Sequence, residues 1–154
     1  SWHDPLETLS RAASMTGIEA LRLMAAGELP PPPIAQTLGF ELIEVGDGSA
    51  TFTIEPAEFH YNPIGVVHGG LALTLLDSAM GCAVHSTLAA GVAYTTLEMK
   101  ANFVRPLTSS TGLVRCTGTL VHPGRTVATA EGRIVDASGK LYAHGTSTLL
   151  ILGD

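Results

Sequence analysis

The chain has 154 residues, of which 45% are hydrophobic and 14% are charged, and its formal net charge is −6 at pH 7. This length favours a single domain, and the composition supports a sizeable core and argues against disorder. An acidic chain without a basic stripe lacks the electrostatic surface that nucleic acids need, so we expect no nucleic-acid partner.

The cysteines and histidines show no metal or disulfide pattern. Cys82 and Cys116 lie outside any Cys-x-x-Cys motif, and the histidines have no His-x-His or His-x-x-x-His spacing. We therefore expect reduced thiols, no metal and no cofactor. No basic segment followed by an apolar run begins the chain, which predicts a cytoplasmic protein without a signal peptide.

The first element is a helix followed by a proline run. Residues 5–27 carry apolar side chains at helical spacing, with Gly17 as a point where the helix could divide and Gly27 as its end. Four prolines, residues 30–33, predict an extended connector. We expect the main domain to span residues 34–154, with this N-terminal helix and its connector, residues 1–33, outside it.

Strand and helix patterns follow in a clear order. Residues 40–45 and 49–55 predict a hairpin whose turn is Gly46-Asp47-Gly48. A loop leads to an apolar helix from residue 68 to about residue 90, and the presence of Asp77 argues for a buried helix instead of a membrane span. Four more strands are predicted, at residues 97–103, 113–121, 126–135 and 141–152. In the first of them, strict alternation puts Leu97 and Met99 on one face.

This order of elements predicts an α+β fold. A helix that is apolar on nearly all sides must be surrounded, and one curved antiparallel sheet wrapped around it does this. The edge and outer face of such a sheet then need a partner, which predicts a dimer.

Chemistry is predicted at the start of the apolar helix, His68-Gly69-Gly70. A helix N-terminus presents free N–H groups and a positive dipole end, and glycine allows a ligand to approach the backbone. These features suit the oxyanion that forms when a thioester carbonyl is attacked. Taken alone, the motif is explained equally well as an ordinary junction between a loop and a helix.

Asp77 strengthens this interpretation. A carboxylate among core residues is costly unless it is paired or functional. Asp77 follows Gly70 by seven residues, about two helical turns, and so lies on the same face. The carboxylate and the helix start could therefore line one pocket. The alternative is a polar residue exposed at a subunit seam.

A family resemblance rests on three segments: NPIGVVHGG at residues 62–70, LDSAMG at residues 76–81 and TTLEMKANFVRP at residues 95–106. Together they resemble the signature of the PaaI-type (phenylacetate-pathway) hotdog-fold acyl-CoA thioesterases, and the similarity covers residues 34–152. The resemblance implies a hotdog fold and hydrolysis of an acyl-CoA to a free acid and CoA, with no cofactor besides the substrate. It also implies a homodimer that assembles into a homotetramer.

The resemblance implies roles for individual residues. Asp77 matches the family's general base or nucleophile. Gly70, with Gly69 next to it, matches the glycine whose N–H faces the thioester oxygen. Asn62 matches the residue that orients the attacking group or water. His68 matches a residue that lies near the thioester or holds the loop.

Further positions follow from the same resemblance. Thr96 matches a hydroxyl that positions the water, with Thr95 as its rival because a shift of one residue reverses the face. The loop with Tyr61 is expected to line the acyl pocket or the subunit seam. Arg105 and Arg125 are candidates for the CoA phosphates, although Arg125 is equally well explained as a solvated charge in a turn. In related folds, the acid and the loop that ends at the glycines come from different subunits.

Two other functions are compatible with this fold. A non-catalytic acyl-CoA-binding hotdog protein would bind the thioester without releasing a thiol. A hotdog dehydratase or hydratase would need a histidine and an acid arranged in a different motif. Thiol release, and its loss in Asp77→Asn, separates hydrolysis from both.

Overall fold

The computed structural model describes residues 1–153, and within them it has four α-helices and six strands. The helices are α1 (Pro5–Ala12), α2 (Gly17–Ala25), α3 (Pro33–Leu38) and α4 (Gly69–His85). The strands are β1 (Phe40–Gly46), β2 (Ser49–Ile54), β3 (Ala93–Phe103), β4 (Val114–His122), β5 (Val127–Asp136) and β6 (Leu141–Leu152).

The six strands form one antiparallel sheet in the order β1-β2-β4-β5-β6-β3. The sheet surrounds α4, whose Leu75, Leu76 and Met80 are completely buried. The α+β fold with a central helix is therefore confirmed. One long edge of the sheet, β3, pairs only with β6 and leaves its other side open. Within residues 1–153, no helix is both long and apolar enough to cross a membrane.

The predicted N-terminal helix is in fact two helices, divided just before Gly17. Thr16 caps α2: its hydroxyl accepts the Glu19 N–H, while the Glu19 carboxylate accepts the Thr16 N–H at 2.9 Å. A Cβ on Gly17 would collide with the His85 carbonyl oxygen. The division therefore lets the start of α2 pack closely on the end of α4, a contact that helical spacing cannot reveal.

Two boundaries differ from the prediction. The extended connector is shorter than predicted, because Pro33, the last residue of the proline run, already begins α3. Proline is well tolerated at the first position of a helix. The central helix ends at His85 instead of near residue 90. There the Ser86 hydroxyl donates to the Ala83 carbonyl and accepts the N–H of Gly48, which ties the helix end to the β1–β2 turn.

A β-bulge interrupts β3. The pairing with β6 shifts between Thr96 and Glu98, which makes Leu97 an extra residue in the strand. Leu97 is 55% exposed whereas Met99 packs against the core, so the prediction that the two share one face is wrong. The bulge reverses the alternation, and Thr96 and Met99 consequently both lie on the side of the sheet that faces α4.

The β5–β6 turn is organised by Asp136. Its carboxylate accepts hydrogen bonds from the N–H and hydroxyl of Ser138, the N–H of Lys140 and the hydroxyl of Tyr142. These bonds, the Ser138 hydroxyl first, lower the pKa of Asp136 from 3.8 to about 2. The folded chain therefore holds this proton less tightly than the unfolded chain. The stabilisation is fully present above pH 3.8 and is lost as the pH falls toward 2.

Asp136→Asn is expected to destabilise the protein at pH 5 and to have progressively less effect toward pH 2. The measurement is thermal unfolding of both proteins across this range. Asp47→Asn is the matched control, since Asp47 is exposed in the β1–β2 turn and its carboxylate accepts no hydrogen bond from residues 1–153. A stability difference that stayed constant from pH 5 to pH 2 would contradict the assignment.

Candidate active site

The carboxylate of Asp77 is half-buried on α4 and is held from β3. The Thr96 hydroxyl donates to Asp77 Oδ1 at 2.7 Å. No other donor among residues 1–153 contacts the carboxylate, and no buried side-chain oxygen in that range lacks a partner, so Oδ2 is accessible. Thr95 is exposed and makes no bond to Asp77. Asp77 thus has one oxygen anchored and the other available.

Burial favours the uncharged form of the other ionisable groups on this part of α4 and β3. Burial, reinforced by the charge of Asp77, raises the pKa of the Cys82 thiol to about 12. Burial also raises the pKa of Tyr94, with smaller effects from Cys82 and Asp77. Burial lowers the pKa of His85, which favours the neutral imidazole. Neither Cys82 nor Tyr94 offers an ionised nucleophile near neutral pH, so Asp77 remains the candidate for the chemistry.

The start of α4 is capped by its own histidine. His68 Nδ1 accepts the Gly70 N–H at 2.8 Å, so the ring proton of a neutral His68 is on Nε2. A Cβ on Gly70 would lie 2.8 Å from the same nitrogen, which explains the glycine. The Gly69 N–H has no acceptor within residues 1–153. Gly69 is therefore a free donor as the chain stands, whereas Gly70 becomes one only when the His68 ring turns away.

Asn62 organises the loop that leads to these glycines. Its Oδ1 accepts the N–H groups of Ile64 at 3.1 Å and Val66 at 3.3 Å, and its own N–H donates to the Val66 carbonyl. The side-chain NH2 of Asn62 remains unused among the described residues. Tyr61 lies beside it, half-buried, and its hydroxyl accepts the Ser109 N–H at 2.9 Å.

His60 is a structural residue that the sequence analysis did not identify. Its Nδ1 accepts the Ala57 N–H at 3.0 Å, so Nε2 carries the proton and donates to the Leu38 carbonyl at 2.8 Å. Its carbonyl also accepts the His68 N–H. The ring thereby links the loop to α3. Sequence alone does not indicate that the ring of a loop histidine makes hydrogen bonds with both of its nitrogens, so the role of His60 could not be predicted.

A cleft of about 290 Å³ opens beside the helix start. His68 and Gly69 line one side, and Phe103 and Arg105 line the other. The Arg105 guanidinium donates to the Leu141 carbonyl at 2.8 Å. The cleft therefore brings a free backbone donor and a cation together.

Two predicted residues lie away from this cleft. Arg125 is exposed between β4 and β5 and does not line it. Asp77 does not line it either. At 1.5 Å per helical residue, Asp77 lies about 10 Å along α4 from Gly70. One chain alone does not bring the acid and the helix start to the same point. Among residues 1–153, no three histidine, cysteine or acidic side chains are grouped as metal ligands.

A long helix enclosed by one curved antiparallel sheet is the hotdog architecture, and in this chain the helix carries the Asp77 carboxylate. The family model described as "Thioesterase superfamily" matches residues 64–143, and the chain belongs to this family.

Individual relatives agree with this assignment. The 1,4-dihydroxy-2-naphthoyl-CoA hydrolase of Listeria monocytogenes is 26% identical over 118 residues, which is 77% of this chain and 94% of that protein. A phenylacetic acid degradation-related protein from Ralstonia eutropha is 32% identical, with a TM-score of 0.75 over 84% of this chain and 98% of that one. The PaaI protein of E. coli, at 22% identity, shares the fold with a TM-score of 0.77 over 92% of this chain and 96% of its own. The predicted PaaI-type resemblance is confirmed, and the protein is a thioester hydrolase.

Proposed function

We propose that this protein hydrolyses an acyl-CoA thioester to a free acid and CoA, with Asp77 as general base or nucleophile. The observation that carries the proposal is the Asp77 carboxylate on α4, anchored through Oδ1 by Thr96 and accessible at Oδ2. The family assignment and a relative named as a naphthoyl-CoA hydrolase support the substrate class.

Both possible reaction routes can be completed with Asp77, water and the thioester alone. As a base, Asp77 Oδ2 removes a proton from water while the water oxygen bonds to the thioester carbon. The carbonyl electron pair moves to oxygen, and collapse of this intermediate expels the CoA thiolate, which takes up the proton. As a nucleophile, Oδ2 attacks the carbon itself, the C–S bond breaks and the CoA thiolate leaves. Water then hydrolyses the resulting anhydride to the free acid and the Asp77 carboxylate, and the proton it releases goes to the thiolate. In either route, Thr96 holds Oδ1 and so directs Oδ2.

The oxyanion donor in this proposal comes from a second copy of the chain. A carbonyl carbon and its oxygen are only about 1.2 Å apart. Groups that lie about 10 Å apart along one helix cannot reach both atoms. The Gly69 and Gly70 N–H groups of one subunit would therefore serve the Asp77 of its partner, with His68 and Asn62 shaping the loop. The open side of β3 offers 11 residues for pairing.

The remaining predicted groups complete the substrate site of this proposal. Arg105 lies in the cleft beside Gly69 and is suited to a CoA phosphate. Arg125 and Tyr61 remain proposed contacts to the nucleotide and to the substrate loop. A homotetramer built from two dimers and a cytoplasmic location belong to the same proposal. Cys82 and Cys116 are free thiols, as is usual in a reducing compartment.

The first test is a panel of aliphatic and aromatic acyl-CoAs, assayed for release of free thiol. We expect turnover of at least one class, with one thiol released for each acid formed. Tight binding across the panel without thiol release would contradict hydrolysis and support the non-catalytic binding protein.

Thr96→Val is expected to lower kcat by about tenfold, because the isosteric change removes the hydrogen bond that fixes Asp77 Oδ1. Thr95→Val is the matched control, since Thr95 is the exposed neighbour on the same strand. We expect it to retain wild-type kcat. Steady-state thiol release measures both variants, and equal losses in the two would remove Thr96 from the mechanism.

Dilution to the monomer is expected to abolish activity, because each site needs two chains. As the protein is diluted, its sedimentation coefficient should fall to that of a monomer over the same concentration range in which its specific activity falls. Excess Asp77→Asn chains added to dilute wild-type chains should restore activity, since a mixed dimer has one complete site. Full activity in a sedimenting monomer would contradict the two-chain site.

A further inference from the structure

A cavity of about 510 Å³ lies at the C-terminal end of α4, outside the site described above. The end of α4 and the start of β3 form its inner wall, where His85 and Tyr94 lie. Its outer wall comes from the N-terminal helices, with Leu9, Ala12 and Ala13 from α1 and the end of that helix. The volume falls in the range of small-molecule sites.

Tyr94 borders both this cavity and the surroundings of Asp77. Gly81 follows Asp77 by one helical turn, and a Cβ on Gly81 would lie 3.1 Å from the Tyr94 ring. Tyr94 precedes Thr96 by two residues and so shares its face of β3, the face that contacts Asp77. On the cavity side, the Tyr94 ring packs on His85 with centroids 5.3 Å apart. The Tyr94 ring therefore lies between the surroundings of Asp77 and the cavity, with Gly81 packed against it.

We propose that this cavity binds the apolar end of a medium- or long-chain acyl group whose thioester lies at Asp77, with Tyr94 as a specificity-determining residue. The inference rests on the proposed hydrolysis at Asp77 and names the acyl class. Gly81 lies about 6 Å and His85 about 12 Å along α4 from Asp77, so short acyl groups end before the cavity.

The side chains that line the cavity favour an uncharged ligand. Every lining side chain is apolar except His85 and Tyr94, and none is acidic or a lysine or arginine. Burial lowers the pKa of His85 and raises that of Tyr94, so both are uncharged near neutral pH. Such walls have nothing to pair with the CoA phosphates, whereas buried methylene groups gain free energy there.

The proposal also gives α1 a function. No residue of α1 is buried, and Leu9 is 66% exposed although it lines the cavity. An apolar occupant would cover Leu9 and supply the contact that the helix lacks. This outer wall comes from residues that precede the segment, residues 64–143, that the family model matches.

The test uses S-ethyl-CoA and S-decyl-CoA, thioethers without a carbonyl group that the enzyme cannot hydrolyse. Titration calorimetry measures their Kd for the wild type, Leu9→Asp and Leu6→Asp. Leu6 is the matched control because it lies on the same helix, is 72% exposed and does not line the cavity. Both leucines are exposed, so neither change removes a core contact. Ala13→Trp, which fills the cavity from an exposed position, is the second variant.

We expect wild type to bind the decyl thioether more tightly than the ethyl thioether. Leu9→Asp and Ala13→Trp should weaken decyl binding by roughly tenfold, the loss of about two buried methylenes, and leave ethyl binding within about twofold. Leu6→Asp should match wild type. Equal decyl affinities in Leu9→Asp and Leu6→Asp, or no preference for decyl in the wild type, would overturn the acyl cavity.

The result is separable from that of the proposed function, because binding of thioethers does not depend on hydrolysis. Decyl preference without thiol release from any acyl-CoA would support the cavity and contradict catalysis. Thiol release with the same chain-length profile in Leu9→Asp and Leu6→Asp would support catalysis and overturn the cavity.

Discussion

Replacing Asp77 with asparagine is expected to lower kcat for thioester hydrolysis by about a thousandfold or more while the protein remains folded. The amide has the size of the carboxylate, and its oxygen can still accept the hydrogen bond from Thr96. It can neither take a proton from water nor form an anhydride. The measurement is thiol release under saturating acyl-CoA, with circular dichroism to establish that the fold is retained.

Glu98→Gln is the control for the change in charge. Glu98 is an exposed carboxylate on β3, two residues from Thr96, and it makes no hydrogen bond through its side chain to residues 1–153. We expect its kcat to stay within about twofold of wild type. If Asp77→Asn kept more than about a tenth of wild-type kcat, the loss would be too small for a general base or a nucleophile, and the chemistry would have to be assigned elsewhere.

The largest stability effect is expected at Gly118, where α4 rests directly on β4. A Cβ there would collide with the Ala79 carbonyl and would lie 2.6 Å from the backbone nitrogen of Met80. Those atoms are part of a hydrogen-bonded helix and cannot move singly, so the whole helix must shift from the sheet. Gly118→Ala should lower the free energy of unfolding by about 3 kcal/mol. Urea unfolding followed by circular dichroism measures the loss.

Gly132→Ala is the matched comparison, because Gly132 lies directly opposite Gly118 in the β4–β5 pair. A Cβ there would meet Leu76 Cδ2 at 3.0 Å and Met80 Cγ at 3.3 Å. These are side-chain atoms that can rotate away, so we expect a loss of about 1 kcal/mol or less. If the two variants were equally stable, α4 would not be held against the sheet at Gly118.

Local patterns in the sequence determined much of this protein. The order of the six strands and the apolar helix along the chain followed from hydrophobic periodicity, since apolar residues recur with period 2 in a strand and with a period of about 3.6 in a helix. The resemblance to the family rested on the segments that contain Gly70, Asp77 and Thr96, and the cost of a carboxylate in an apolar helix marked Asp77 as a functional residue. These features depend on short stretches of chain and can be read without knowing what packs against them.

Contacts between distant segments decided the rest. Alternation through Met99 favours Thr95 as the inward hydroxyl, and only the bulge at Leu97, which is set by pairing with β6, turns Thr96 toward Asp77. The capping of Gly70 by His68 likewise depends on a side-chain rotamer. Period and motif report the environment of a residue along its own element. They carry no information on which partner strand shifts register or which donor is already paired, and those two facts decide the geometry of the site.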